Sequence, residues 1–219
     1  MKIRLAAAAI CLQISLFASA THADFRQGLE FFQAGNHAQA ALSWQEDAEA
    51  GEAASQRNLG LLYLNGLGVP KNPVEAARWF KAAADQSFAP AAANLADLYL
   101  RGTGVAVDRA KAAEYMRVAA EGGLAESQYN LAIFYEHGIG VEKDEDAAVF
   151  WYRRAAGQDF RKAGERLAVL RPGEASKTVA ETTAADEKTE VSEPVRRTAH
   201  AGTDDGLIDR LIPLFSVAE

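Results

Sequence analysis

One stretch of this chain is spelled three times, and that repetition limits the fold more than any other feature. Leu59-Gly-Leu-Leu-Tyr-Leu-Asn-Gly-Leu-Gly-Val69 returns as Leu95-Ala-Asp-Leu-Tyr-Leu-Arg-Gly-Thr-Gly-Val105 and as Leu131-Ala-Ile-Phe-Tyr-Glu-His-Gly-Ile-Gly-Val141. Tyr63, Tyr99 and Tyr135 are spaced by 36 residues in both steps. A copy this short cannot bury its apolar side alone, so a fixed period of this length predicts supersecondary units stacked on one another.

Each copy predicts a helical hairpin. Leu59, Leu62 and Tyr63 fall at i, i+3 and i+4, one buried stripe of a helix. Gly66 ends that helix, because a glycine takes the left-handed conformation without steric cost. Asn72 stands where an N-cap belongs, with Pro73 as the first helical residue. Asp108 and Asp144 hold the cap position in the next two copies. Ala76, Ala77, Trp79, Phe80, Ala83 and Ala84 form the second-helix core, matched by Ala112 to Ala120 and Ala148 to Ala156. Phe25 to Ala50 reads as a shortened first hairpin, and a fifth first-helix starts near Ala163 and stops at Arg171-Pro172-Gly173. The expected fold is all-α: a right-handed α-solenoid of stacked hairpins over 24–171, divided at about 24–52, 53–88, 89–124, 125–160 and 161–171.

The ends have other compositions. Residues 1–23 have Lys2 and Arg4, then an apolar run too short to span a membrane comfortably, then small residues. This is the pattern of an export signal cleaved after Ala23. The only cysteine, Cys11, lies inside it, so the mature chain would have no thiol chemistry. An alanine-rich signal of this kind points to a bacterial periplasm, with secretion as the other possibility. Residues 172–205 have no Leu, Ile or aromatic side chain and are expected to be a disordered acidic linker. Residues 206–219 are a short apolar segment holding Leu207, Ile208, Leu211, Ile212, Leu214 and Phe215. Three roles fit it: covering the open end of the stack at Leu167 and Leu170, filling the chain's own groove, or docking on another protein. The first is preferred.

The pattern from Gln56 to Val69 with Ala76-Ala-Arg-Trp-Phe-Lys-Ala-Ala-Ala, and again from Gln128 to Val141 with Ala147 to Ala156, resembles the Sel1-like repeat, a relative of the tetratricopeptide repeat. The resemblance covers about residues 25–170. It implies an α-solenoid that acts as an adaptor in signalling or cell-envelope assembly, with structural rather than catalytic motif residues. A cysteine-rich branch of the family is linked to penicillin binding or hydrolysis, but this chain lacks the cysteines that mark that branch.

No chemical motif competes with that reading. The net charge of −7 disfavours nucleic acid, whose phosphates need basic patches. The Gly-x-Gly triplets at 66–68, 102–104 and 138–140 end helices, whereas a phosphate cradle starts one. His37, His137 and His200 lack metal-ligand spacing. Asn58, Asn94 and Asn130 either bond neighbouring backbone or form a binding ladder. Acids at Glu142 and 144–146 suit a helix start better than a cation loop. No cofactor, no metal and no catalytic residue are expected.

What remains is the set of first-helix positions that change between copies. Arg57, Leu61, Leu64 and Asn65 correspond to Ala93, Asp97, Leu100 and Arg101, and to Tyr129, Ile133, Glu136 and His137; the first, second and fourth of each set are taken as the partner-binding residues. Their spacing puts them on one face, which in a stack would line the concave side and bind a protein or peptide. A non-enzymatic envelope adaptor or regulator is therefore expected, with oligomeric state and partner identity open. The alternatives are an enzyme acting on cell-wall or β-lactam substrates and a structural envelope component.

Overall fold

The structure, a computed structural model, describes residues 25–171. The expected signal segment, the 172–205 linker and the 206–219 segment lie outside the described residues. All regular structure among the described residues is helical: α1 over 25–33, α2 (His37–Glu49), α3 (Ala53–Asn65), α4 (Pro73–Ala84), α5 (Ala89–Arg101), α6 (Arg109–Glu121), α7 (Ala125–His137), α8 (Glu145–Ala156) and α9 (Arg161–Leu170). They fall into two compact units that divide between Ala83 and Ala84.

The N-terminal unit contains α1 to α4. Trp44 is fully buried, its indole donating to the Phe25 carbonyl at 3.2 Å, with Phe32 packed against its ring. Leu59, Leu62, Ala76, Phe80 and Ala83 complete the interior. Gly60 must lack a side chain, because a Cβ would overlap the Phe80 ring.

The C-terminal unit contains α5 to α9. Leu95, Leu98, Ala112, Met116, Leu131, Phe134, Ala148 and Tyr152 are buried in it. The expected caps are present: Asp108 accepts from the Lys111 amide at 3.0 Å and Asp144 from the Ala147 amide at 2.9 Å. In the N-terminal unit Asn72 accepts from the Glu75 amide at 3.2 Å. Gly66, Gly102 and Gly138 are left-handed with φ of 72°, 67° and 73°.

The second glycine of the first and third triplets has a separate task. A Cβ on Gly68 would overlap the His37 carbonyl, and one on Gly140 would overlap that of Arg109. His37 and Arg109 each begin the second helix of the preceding copy. The loop backbone therefore rests directly on the N-terminal turn of an earlier hairpin, an approach only glycine permits. The first-helix glutamines repeat in the same way: Gln56 Nε2 donates to the Ala48 carbonyl at 3.0 Å, and Gln128 Nε2 to the Ala120 carbonyl at 3.1 Å.

The fifth copy departs slightly from expectation. Its helix starts at Arg161, two residues before Ala163. Ala163 and Leu167 are buried as the repeat predicts, but Ala168 is exposed.

Candidate partner-binding face

The first helices are enclosed more completely than a one-sided stripe would make them. In α5, ten of thirteen residues are buried, in α3 nine and in α7 eight. A helix packed on several sides leaves only a narrow arc for solvent, and small residues such as Ala91, Ala92 and Ala96 let its neighbours come close.

The nine residues expected to bind a partner divide accordingly. Arg57, Leu61, Ala93, Asp97 and Ile133 are buried, Tyr129 is half-buried, and Asn65, Arg101 and His137 are exposed. The expectation that i, i+4, i+7 and i+8 form one open face is thus corrected at these five positions and at Leu64, Leu100 and Glu136, which are buried too. Residues i and i+4 are folded into the packing, and the accessible part is the last turn, just before each capping glycine. There Asn65, Arg101 and His137 occupy one repeat position with three different side chains. The recurring Asn58, Asn94 and Asn130 are buried, which places them inside the packing and off the surface. His37 is half-buried and lies against Phe32, ring centroids 4.8 Å apart. Among the described residues no three His, Cys, Asp or Glu side chains cluster to hold a metal ion.

Two ion pairs orient what is exposed in the C-terminal unit. Arg101 Nε donates to both oxygens of buried Asp97, at 2.9 and 3.0 Å. Burial pushes the Asp97 carboxyl above the ordinary aspartate range, and the Arg101 hydrogen bond only partly offsets it. Beside His137, Glu136 is buried and accepts from Tyr152 Oη at 2.8 Å and from Arg166 Nε at 3.1 Å; Arg166 Nη2 also reaches its other oxygen. His137 Nε2 lies 3.7 Å from that same carboxylate. Burial works to raise the Glu136 carboxyl, but hydrogen bonds from Arg166 and Tyr152 prevail and hold it low. Burial and the Glu136 hydrogen bond push the Tyr152 hydroxyl far above its usual value. Tyr129 packs on this group, its ring 5.5 Å from Tyr152 and 5.3 Å from Phe160.

The sequence places Glu136 on the open face and Tyr152 in the second-helix core, and their meeting with Arg166 was missed, although a signal was there. Glu136 replaces Leu64 and Leu100, Tyr152 replaces Phe80 and Met116, and Arg166 replaces Asn58, Asn94 and Asn130. These are three departures from the repeat, two of them polar groups at apolar positions, and they meet in space. In the N-terminal unit Arg57 is buried, which lowers its guanidinium pKa, and its Nη1 donates to Asn58 Oδ1 at 3.4 Å.

Comparison with known proteins agrees with this architecture. The Sel1 repeat model matches residues 53–88, 89–124 and 125–160. Among solved structures the chain is similar to c5321, described as a protective antigen present in uropathogenic Escherichia coli strains displaying an SLR fold, with 33% identity and a TM-score of 0.65 over 72% of this chain. It is also similar to a Sel1 repeat protein from Oxalobacter formigenes, with 31% identity and a TM-score of 0.64 over 70% of this chain. The chain spans 35% of the first protein's length and 61% of the second's. No curated protein gives a match. With three consecutive Sel1 repeats, the chain belongs to the Sel1 repeat family and has its all-α solenoid fold.

Proposed function

We propose that this Sel1 repeat protein is a non-enzymatic adaptor or regulator of the bacterial cell envelope, exported by residues 1–23, that holds a protein or peptide on its first-helix face. Sel1 repeats generally mediate protein–protein interaction. The observation that carries the reading to particular residues is the position shared by Asn65, Arg101 and His137. It is exposed in every copy and chemically different in each. Within the C-terminal unit, the unlike side chains Arg101 and His137 at equivalent exposed points suit a partner that does not itself repeat. Asp97 restrains Arg101 through two hydrogen bonds, so less side-chain freedom would be lost on binding there. The description of one relative as a protective antigen fits a protein outside the cytoplasm and supports the envelope reading.

The test is in-cell photo-crosslinking from probes placed at Asn65 and His137, with Val74 and Val107 as exposed controls. A discrete partner adduct from the first pair and none from the controls is expected. Adducts from all four sites, or none from Asn65 and His137, overturn the assignment. Osmotic-shock fractionation tests export separately. Turnover by the purified chain would favour the enzyme alternative, and stoichiometric incorporation into an assembly the structural one.

A further inference from the structure

We infer that the segment Leu207–Phe215 of this same chain packs on α9 at exposed Ala168, the position that a second helix covers in the first copy. The inference starts from one repeat position met four times. Gly60, Ala96, Ala132 and Ala168 succeed one another at intervals of 36 residues. The first three are buried, whereas Ala168 is exposed. What covers the position is defined in the first copy. A Cβ on Gly60 would meet the Phe80 ring and, at 3.3 Å, the Ala76 carbonyl, both on the second helix of the same hairpin. After Leu170 no second helix follows among the described residues. Gly164 holds the position from which Gln56 and Gln128 reach back to the preceding hairpin, and the hollow of about 510 Å³ beside it, lined by Ala156, Asp159 and Phe160, belongs to that side of α9 and not to the one at Ala168.

The occupant is identified by its pattern and its tether. Second helices bury residues at relative positions 0, 1, 4, 7 and 8: Ala76, Ala77, Phe80, Ala83 and Ala84, then Ala112, Ala113, Met116, Ala119 and Ala120. Leu207, Ile208, Leu211, Leu214 and Phe215 have the same spacing. Four residues before position 0 stand the caps Asn72, Asp108 and Asp144; four before Leu207 stands Thr203, another residue that caps helices. Leu214 and Phe215 follow Pro213, which a helix interior does not tolerate, so the match rests on Leu207, Ile208 and Leu211. Residues bulkier than alanine are accommodated because Ala168 is small and exposed. The connection over 172–202 is long, but a flexible chain of that length spans roughly 30 Å on average. Loop closure grows only logarithmically more costly. A tethered segment also acts at an effective concentration near millimolar, which favours it over a second copy or another protein.

The proposal is independent of the partner reading and is tested in the full chain with Cys11→Ser. Ala168→Cys with Leu207→Cys reproduces the Gly60–Ala76 approach, in which a Cβ on Gly60 would lie 3.3 Å from the Ala76 carbonyl oxygen. Expected on mild oxidation is a disulfide within single chains, formed at least tenfold faster than in a Val74→Cys, Leu207→Cys control. It should be lost when Ile208→Asp and Leu211→Asp are added. Without any added cysteine, the same two aspartates should accelerate amide hydrogen exchange in α9 about tenfold. Crosslinking no faster than the control, crosslinking only between chains, or unchanged exchange in α9 each overturns the assignment. The second result would place another copy on the face.

Discussion

The backbone amide of Asp144 donates to the carbonyl of Tyr135 at 2.9 Å, tying the residue that caps α8 to the last turn of α7. Asp108 does the same to Tyr99 at 3.0 Å and Asn72 to Tyr63 at 2.8 Å. The three tyrosines that mark the period therefore share one environment, and each loop is fastened at the point where its next helix begins.

The first prediction concerns these caps. Asp108→Ala and Asp144→Ala should each lower stability by about 1 kcal/mol, measured by urea unfolding at pH 7. Asp108→Asn should cost much less, because Asn72 already performs the same task. The Lys111 amide, as the leading cause, holds the Asp108 carboxyl below its ordinary range. Its stabilising effect is thus present above the unfolded value of about 3.9 and is lost as pH falls through the lower folded value. The gap between the native protein and Asp108→Asn should vary only across that acid window; variation near neutral pH would contradict the assignment.

The two glycines of one triplet should differ in tolerance. At Gly138 a Cβ finds nothing nearer than 3.5 Å, so Gly138→Ala meets only the left-handed backbone, with φ of 73°. That costs roughly 1–2 kcal/mol. At Gly140 the backbone is equally left-handed, and a Cβ would also strike the Arg109 carbonyl. Gly140→Ala should therefore cost clearly more, with loss of the α6–α7 contact visible as faster hydrogen exchange in both helices. Equal melting temperatures for the two variants would refute a seating role for Gly140.

The group around Glu136 should behave as a coupled unit. Glu136→Leu restores the residue type of Leu64 and Leu100 but leaves the buried Tyr152 hydroxyl without its acceptor, a loss of about 1–3 kcal/mol. Adding Tyr152→Phe, the residue type of Phe80, removes the stranded hydroxyl and should recover most of that loss. Arg166, whose side chain is 38% exposed, can turn to water. A double-mutant cycle should give a coupling of at least about 0.5 kcal/mol. Additive effects would mean that the Tyr152–Glu136 hydrogen bond contributes nothing.

Much of this fold was legible because each copy repeats the same local instructions. The Asn72, Asp108 and Asp144 caps, the Gly66, Gly102 and Gly138 turns and the Phe80 and Met116 core positions all follow from spacing alone. The candidate face was less legible. Periodicity places Leu61, Asp97 and Ile133 on a common side of their helices but does not say how many neighbours enclose that side. Small residues such as Ala92 and Ala96 let those neighbours approach until the side is buried. The Glu52 carboxylate, which accepts from the Ala54 amide at 3.1 Å and caps α3, was also missed, since glutamate is not a favoured cap. Arg166 escaped notice because it belongs to an incomplete copy, and its partner Glu136 lies 30 residues away.

Asp97 poses the sharpest conflict between stability and the proposed role. Its carboxyl is buried where the first copy has Leu61 and the third Ile133. Because burial raises its folded pKa above the unfolded value near 3.9, the favourable neutral form dominates only in acid. Stability from this group is greatest below that value and falls as pH rises through the higher folded one. Asp97→Leu should therefore stabilise the protein at pH 7, by about 1–3 kcal/mol, and flatten its pH dependence just above pH 4. Arg101, whose side chain is 31% exposed, would remain hydrated. Arg101→Ala should do the reverse, stranding a buried carboxylate at a cost of about 3 kcal/mol or more. A costly buried acid is retained at a site that uses it, and under the proposed function its use is to hold Arg101 in place through two hydrogen bonds. The stabilised Asp97→Leu protein should then capture its partner less well from an Arg101-adjacent probe than the native protein does. Full capture by that variant would separate the ion pair from binding and leave Asp97 without a functional account.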